Sequence, residues 1–585
     1  MLPTDPIGFA SGDYAELALA AIFLVLAIAG RGWIAAWGER LAARAAWCVA
    51  LLAALPIVLR LALLGNHPVP VPDIYDEFGH LFVADTLRHW RLANQPHALA
   101  RFFETFFILQ SPTYSSIYPL GQGLLLAAGK AIGGTPWAGV LLGTGAFCGL
   151  CCWMLRGWTT PGWALIGGLL AVFEFGPLNQ WTNSYWGGAL PAAAGCLVFG
   201  ALPRLRCRAR VRDGILLGLG FGMHMLCRPY ETVFLALSVA LFRLPEMRSA
   251  AGRSRLLRPL LCAGLIVIAA LGITLRQNRS VTGSWTKLPY SLSQEQYGVP
   301  ASLTFQSYAT PHRELTREQE LDYRMQRGFR SREFDSAGTY LQRLLFRVRY
   351  YRFYFYAPLS VALLIWLLTI RDRRRGWIAF TILLFALGVN FFPAFQFHYL
   401  AAVACLFVLI SVDGLRRLSE WPGGSSAARA LLYLCIAQFC FFYAAHLFET
   451  PAWAVRLRSL DVWDSVDAAP RVTQRVAVSN MLAKEPGKLL VLVRYWPQHI
   501  FQDEWVWNEA DIDASRVVFA RDRGAEEDRN LLSYYPDRRV LLLEPDARPP
   551  KLEPYIPEPK TEAAKPAAPA QPAASRPKLV LEQVR

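Results

Sequence analysis

The chain has 585 residues, of which 54% are hydrophobic and 18% charged, with a mean hydropathy of +0.26, and its apolar residues come in runs close to the length that crosses a hydrocarbon core. The formal net charge is +16, yet Lys and Arg gather in short clusters between apolar runs, as in RLRCRARVR at Arg204 to Arg212, which is a topology signal and not a nucleic-acid surface. Composition thus excludes an ordinary soluble enzyme and a nucleic-acid partner, and predicts a polytopic α-helical membrane protein surrounded by membrane lipids.

In chain order, Met1 to Glu16 lacks an early positive region and carries Asp5, Asp13 and Glu16, so the run from about Leu17 to Gly30 reads as a span and not a cleaved signal. Arg31, Arg40 and Arg44 then mark the cytoplasmic side, and a second span, about Ala45 to Leu64, runs outward. Residues 1–65 form the N-terminal spans, and residues 66–119 form a first extracytoplasmic loop. That loop holds VPDIYDEFGHLFVADTLRHWRL, Val71 to Leu92, with Asp73, Asp76, Glu77 and His80 at a membrane surface. Acidic groups beside a bilayer are costly to hold and easily shifted in pKa, which marks them as candidate functional residues.

The run Leu120 to Gly133 is short, Gly-rich and interrupted by Gln122 and Lys130, and reads as an interfacial or re-entrant helix. Spans near 137–155, 161–177, 186–202, 213–227, 231–243, 257–275, 354–370, 376–393, 398–414 and 428–448 then bring the total to about twelve crossings with the basic loops inside. This core, residues 120–448, carries a second outer loop at 276–352. Residues 449–548 read as a small C-terminal α/β soluble domain on the outer side: KLLVLVRY (Lys488 to Tyr495), RVVFARD (Arg516 to Asp522) and RRVLLLEPD (Arg538 to Asp546) are buried-strand patterns, with a helix at AEEDRNLLSYY, Ala525 to Tyr535. Beyond Ala547 the Pro, Ala and Lys content predicts a disordered tail, taken as 549–585. All eleven cysteines fall in expected spans or basic loops, as small hydrophobes do.

No nucleotide-binding glycine fingerprint and no Walker-type loop accompanies the outward-facing carboxylates, so an activated substrate would be lipid-borne. YDEFGHLFVADTLRHWRL, the following FFETFFILQSPTYSSIYPLGQG, the NQWTNSYWGGAL loop and QFHYLAA resemble the membrane glycosyltransferases that use polyprenyl-phosphate sugars, a group including the protein O-mannosyltransferases and the lipid A aminoarabinose transferase, and in particular its bacterial members. The resemblance covers roughly Asp73 to Ala402. It implies a GT-C-like fold in a bacterial inner membrane and a periplasmic active site. It also implies an inverting transfer from a polyprenyl-phosphate-linked donor to a hydroxyl of a glycan, lipid or protein acceptor.

On residues, the resemblance matches the family's acidic loop motif to Asp76 and Glu77, with the Asp as general base toward the acceptor hydroxyl. A solvated helix start is the alternative, since acids favour a first turn. His80 lies four residues after Asp76 and three after Glu77, on one helical face; with Asp73 and Asp76 it is a candidate ligand set for a divalent cation, Mg or Mn, or else a hydrogen-bond partner of a carboxylate. Arg228, in CRPYE, is the first candidate for the donor phosphate, ahead of Arg276 and Lys287, and headgroup snorkelling is its alternative. His398 and Tyr399 resemble a pair that relatives place near the donor phosphate, and interfacial anchoring is theirs.

Relatives carry a second acid in the next outer loop, whereas Asn179 to Gly188 has none and Glu174 lies earlier within a span. Asn179, Asn183, Tyr185 and Trp186 are candidates to line a sugar site. Asp85 and Glu104 read as polar-face residues. Trp496, Trp505 and Trp507 suit either sugar stacking or strand packing. The competing function is a transporter or flippase of lipid-linked or small polar substrates, which predicts paired discontinuous helices in two related halves; no clear internal repeat is visible. A third reading is a non-enzymatic assembly subunit.

Overall fold

The computed structural model describes residues 31–330, 332–447 and 470–556, with a few positions between 21 and 29. Most of the expected first span, Leu17 to Gly30, and the tail from 557 onward lie outside the described residues.

Helices stand on each of the other expected spans: Ala45–Ala62, Pro136–Leu155, Pro161–Phe175, Ala189–Arg208, Val211–Cys227, Pro229–Met247, Ala250–Thr282, Leu359–Leu368, Arg373–Val389, Ala404–Ser419 and Gly424–Leu447. Among the described residues five helices are long and apolar enough to cross a membrane: Ala45–Ala62, Pro136–Leu155, Ala250–Thr282, Phe397–Ser419 and Gly424–Ala444. Ala337–Tyr354 and Leu359–Leu368 make a sixth if that pair, bent by 118°, counts as one span. Several of the others are short or end in arginines, and Ala189–Arg208 shows why this is tolerated. Its first four turns are buried among other helices, so its own apolarity is not what meets lipid. A Cβ on Gly195 would stand 1.9 Å from the Ala402 carbonyl oxygen, so only glycine lets this helix lie directly against the turn Phe397–Val403.

The 14-residue helix Leu120–Gly133 is about 21 Å long at 1.5 Å per residue, short of a hydrocarbon core of about 30 Å. It ends at Gly134, whose φ of 73° is left-handed, and the chain folds straight back as Pro136–Leu155. The first long loop, residues 66–119, contributes helix Tyr75–Arg88 and a two-residue antiparallel hairpin, β1 (Ile108–Leu109) with β2 (Ser115–Ser116). The second contributes helices Pro289–Tyr297, Arg317–Gly328 and Ala337–Arg347.

Residues 470–556 contain helices Pro470–Lys484 and Ala525–Tyr534 and a four-stranded sheet in the order β4 (Val517–Arg521), β3 (Leu489–Val493), β5 (Arg539–Glu544), β6 (Lys551–Pro554). The first three are parallel, with Val491 opposite both Phe519 and Leu541, and β6 is antiparallel to β5. Central β3 is buried at every position, which is why LLVLV reads as an unbroken apolar run. Strand β6 corrects the expected tail: the stretch after Ala547 first adds an edge strand, with Leu552 opposite Leu543. Its cue was weak, because KLEP has one apolar side chain and a proline, and an edge strand needs little more.

The sheet sits on the first long loop. Phe82, Phe102 and Tyr114 share a core with Leu490, Leu492 and Val518, and Phe78 stacks on Trp507 at 4.4 Å. Trp505 is buried, so it and Trp507 serve packing, while Trp496 remains 42% exposed. Asp85 and Glu104 are more than polar-face residues. Asp85 accepts from the Ala510 amide at 2.8 Å, and buried Glu104 accepts from Tyr297 (3.1 Å), Gln319 (3.2 Å) and Arg313. Buried Arg521 donates to the Glu104 carbonyl (2.8 Å), to Glu318 (2.6 Å) and to Glu504, joining both loops to the sheet. Removing one member of such a buried charged set leaves the others unpaired, which is what makes it a strong tie.

Candidate active site

Helix Tyr75–Arg88 begins after an extended Ile74, and its first turn sets the two acids apart. Glu77, at the third helical position, accepts from the backbone amides of Asp73 (2.8 Å) and Ile74 (3.2 Å) through one oxygen and from the Tyr185 amide (2.8 Å) through the other. It caps the helix and pins the 179–188 loop against it. Burial pushes its carboxyl up to about 7, against the pull of those amides. The expected catalytic pair is therefore divided, with Glu77 holding backbone.

Asp76 points elsewhere. The Tyr118 hydroxyl donates to its Oδ1, and the Trp186 side chain also donates to it. Burial pushes the Asp76 carboxyl up to about 6, opposed by Tyr118, its own amide, the Arg228 charge and Trp186. Gly79 is what lets Tyr118 reach it: a Cβ there would lie 2.6 Å from the Tyr118 ring. Gln277 fixes the same residue from the long helix Ala250–Thr282 by donating to the Tyr118 carbonyl at 2.9 Å. Gly79→Ala should displace the Tyr118 ring and slow any reaction that uses Asp76 by roughly ten- to a hundredfold, since a hydrogen bond to a charged group contributes roughly 1.5–3 kcal/mol; rate measurements at matched thermal stability check this.

His80, one turn on, packs its ring 4.2 Å from that of Tyr118, and its buried Nδ1 has no hydrogen-bond partner among the described residues. Burial, then the Arg228 charge, pushes it down to about 3, so it is a neutral imidazole at physiological pH.

Arg228 lies at the turn between Val211–Cys227 and Pro229–Met247. Its guanidinium lies 4.6 Å over the Tyr399 ring and its Nε 3.8 Å from Glu231, while the buried Nη2 has no hydrogen-bond partner among the described residues. His398 stacks edge-on with Trp186 at 5.3 Å and adjoins Tyr399 at 5.1 Å. Asp76, His80, Arg228, His398, Tyr399 and Trp186 thus meet in one place. Lys287 is tied to Glu295, and Arg276 is exposed.

Two expected sugar-lining residues are committed to the fold. Asn183 accepts from Arg60 Nε at 2.6 Å and donates to the carbonyls of Pro177 and Asn179 at 2.9 Å. Tyr185 is buried with its hydroxyl on the Pro70 carbonyl at 2.8 Å. Asn179 caps its own short turn, accepting from the Trp181 amide at 2.9 Å. As for a cation, among the described residues no three His, Cys, Asp or Glu side chains converge, so Asp73, Asp76 and His80 do not form a shell. Asp76 is instead held by Tyr118.

Four residues join the site unannounced: Tyr118; Tyr290, whose ring is 6.0 Å from that of Tyr118; Glu231; and Asp322, a fully buried acid that accepts from the Tyr75 hydroxyl at 3.4 Å. Burial, then the Asp76 charge, raises Asp322 to about 7, with Gln326 and Tyr75 opposing. An acid near Asp76 thus comes from the second loop and not from 179–188.

No family model and no curated protein matches the chain. Among solved structures, the crystal structure of ArnT from Cupriavidus metallidurans in the apo state aligns at 10% identity over 86% of this chain and 93% of that one, with a TM-score of 0.48. The same protein bound to undecaprenyl phosphate aligns at 10% identity over 85% and 92%, with a TM-score of 0.47. The archaeal oligosaccharyltransferase AglB from Archaeoglobus fulgidus, in complex with an inhibitory peptide and a dolichol-phosphate, aligns at 12% identity over 85% and 69%, with a TM-score of 0.35. ArnT, a lipid A aminoarabinose transferase, and AglB are both GT-C glycosyltransferases.

Proposed function

We propose that this chain is a membrane glycosyltransferase that moves a sugar from a polyprenyl-phosphate donor to a hydroxyl of a glycan, lipid or protein on the periplasmic face of a bacterial inner membrane. The observation that carries the reading is the meeting of a half-buried carboxylate, Asp76, with a half-buried guanidinium, Arg228, whose buried Nη2 has no hydrogen-bond partner among the described residues. A base and an anion holder in one desolvated site are the two groups that a direct displacement at an anomeric carbon needs.

The acceptor oxygen attacks the anomeric carbon as its proton passes to Asp76. The carbon–oxygen bond to phosphate breaks on the opposite face, and polyprenyl phosphate leaves with the electron pair, so configuration inverts. Tyr118 and Trp186 hold the carboxylate still. Arg228, backed by Glu231 and Tyr399, takes the growing phosphate charge as a guanidinium fork. His80 is neutral and adds no competing charge, and His398 sits beside the same phosphate position. Glu77 keeps the first turn and the 179–188 loop in place.

The test is mass spectrometry of surface glycolipids, polysaccharides and glycoproteins from cells lacking the protein and from complemented cells. Loss of one sugar, restored by the wild-type gene, identifies acceptor and sugar together; identical glycans would end the proposal. The pH dependence is a further expected result. The base works deprotonated and its pKa is raised, so activity should fall as pH drops through about 6 and not through the ordinary aspartate range. Tyr118→Phe removes an interaction that lowers this pKa, so the midpoint should move to higher pH; pH–rate profiles of both proteins check it.

A further inference from the structure

A cleft of about 420 Å³ opens where both outer loops meet the edge of the sheet. Arg101 comes from the first loop, Glu314 and Arg317 from the second, and Arg494 and Arg523 from just beyond the carboxyl ends of β3 and β4. Ligands of parallel sheets collect at the carboxyl ends of strands, and this volume lies within the roughly 300–1,000 Å³ of small-molecule sites. The lining holds five arginines and no lysine. Each carboxylate of the lining already faces a guanidinium: Glu104 with Arg313, Glu314 with Arg101, Glu318 with Arg521 and Asp522 with Arg494. Arg317 donates to the carbonyls of Trp496 and Pro497 and has no carboxylate partner among the described residues; Arg523 pairs with Glu527, which lies outside the lining. The cleft is therefore a polar hollow with a cationic margin.

We propose that this cleft binds an acidic saccharide, one or two sugar units bearing a phosphate or carboxylate, as part of the acceptor. Guanidinium forks match such anions two bonds at a time, and neighbouring carboxylates accept from ring hydroxyls. Its place fits an acceptor. Glu318 lines the cleft on helix Arg317–Gly328; one turn on, about 6 Å along the axis, Asp322 of the same helix accepts from Tyr75, the neighbour of Asp76. A saccharide in the cleft is held one helical turn from Asp322, whose partner Tyr75 precedes Asp76 in the chain. The acceptor role, though not the binding itself, rests on the glycosyltransferase reading.

Calorimetry on the purified full-length protein, with glucose 6-phosphate, glucuronate, maltose and inorganic phosphate as probes, tests this. Glucose 6-phosphate and glucuronate should bind at least tenfold more tightly than maltose, and glucose 6-phosphate more tightly than inorganic phosphate. Arg101→Gln in the first loop and Arg523→Gln beyond β4 should each weaken glucose 6-phosphate about tenfold, with melting temperatures recorded alongside. Absence of binding, equal binding of maltose, or indifference to both variants overturns the proposal, as does inorganic phosphate binding as tightly as the sugar phosphate, which marks a plain anion site. Lower melting temperatures in both variants with unchanged affinity overturn it too, since the arginines would then only fasten the sheet to the loops. Asp76→Asn protein should bind the probes as the wild type does. Wild-type protein that binds the probes but transfers no sugar would remove the transferase reading alone. An inactive one that never bound a probe would remove the cleft alone.

Discussion

Asp76→Asn should reduce sugar transfer by about 10²–10⁴-fold, the range over which a positioned general base acts, with little loss of donor binding. The substitution keeps the shape and keeps an oxygen for the Tyr118 hydroxyl to donate to, but an amide cannot take the acceptor proton. It also removes a negative charge from a site built around Arg228, so a phosphate-bearing donor should bind as tightly as before or more tightly. A drop in turnover with unchanged or improved donor affinity is the signature of a base. A parallel loss of both would mean that Asp76 supports the architecture. Full transfer by Asp76→Asn at matched expression would remove it from the chemistry. Asp76→Glu tests the same point by displacement: the carboxylate survives but moves by a methylene away from Tyr118 and Trp186, and activity should be only partly retained.

What the sequence disclosed about this site follows from how each residue is held. Asp76, His80, Arg228, His398 and Tyr399 were legible in part from acids and a histidine in a loop after an apolar run, and for Arg228, His398 and Tyr399 also from the family resemblance. The separation of Asp76 from Glu77 was not. Both are acids of one first turn, and only the amides of Asp73, Ile74 and Tyr185 decide which of them caps and which faces the site. Asn183 and Tyr185 have the chemistry of sugar-binding side chains, but their polar atoms are taken by Arg60, 123 residues away, and by Pro70, 115 residues away. One sequence carries no trace of such pairings. Asp322 was hidden for the same reason: it reads as one charge among many in REQELDYRMQRG until the helix is placed beside Tyr75. In the sheet, fully buried β3 and partly buried β4 and β5 announced themselves through apolar runs, and edge strand β6, half polar, did not.

Arg228→Ala should lower kcat/KM for transfer by about 10²–10³-fold, comparable to removing a donor from an oxyanion site, with weakened donor binding as well. The geometry gives the reason for both effects. The guanidinium is largely but not wholly shielded from solvent, faces Tyr399 and is only loosely countered by Glu231 at 3.8 Å, so its charge is available to an incoming phosphate and gains importance as the phosphate leaves. Alanine also strands buried Glu231 without its cation, a loss on the order of 3–5 kcal/mol for a buried pair. The double variant Arg228→Gln, Glu231→Gln therefore belongs beside it, since it removes both charges and keeps the volume. If that protein folds with wild-type thermal stability and still fails to bind donor, Arg228 holds phosphate; if it recovers transfer, the single variant was a folding defect and the phosphate role is lost. Arg228→Lys keeps a point charge without the fork and should fall between. Arg371→Ala, at an exposed arginine of the loop before Arg373–Val389, should leave donor binding unchanged. Equal losses from Arg228→Ala and Arg371→Ala would leave nothing special about Arg228, because a headgroup contact at either face would then explain both.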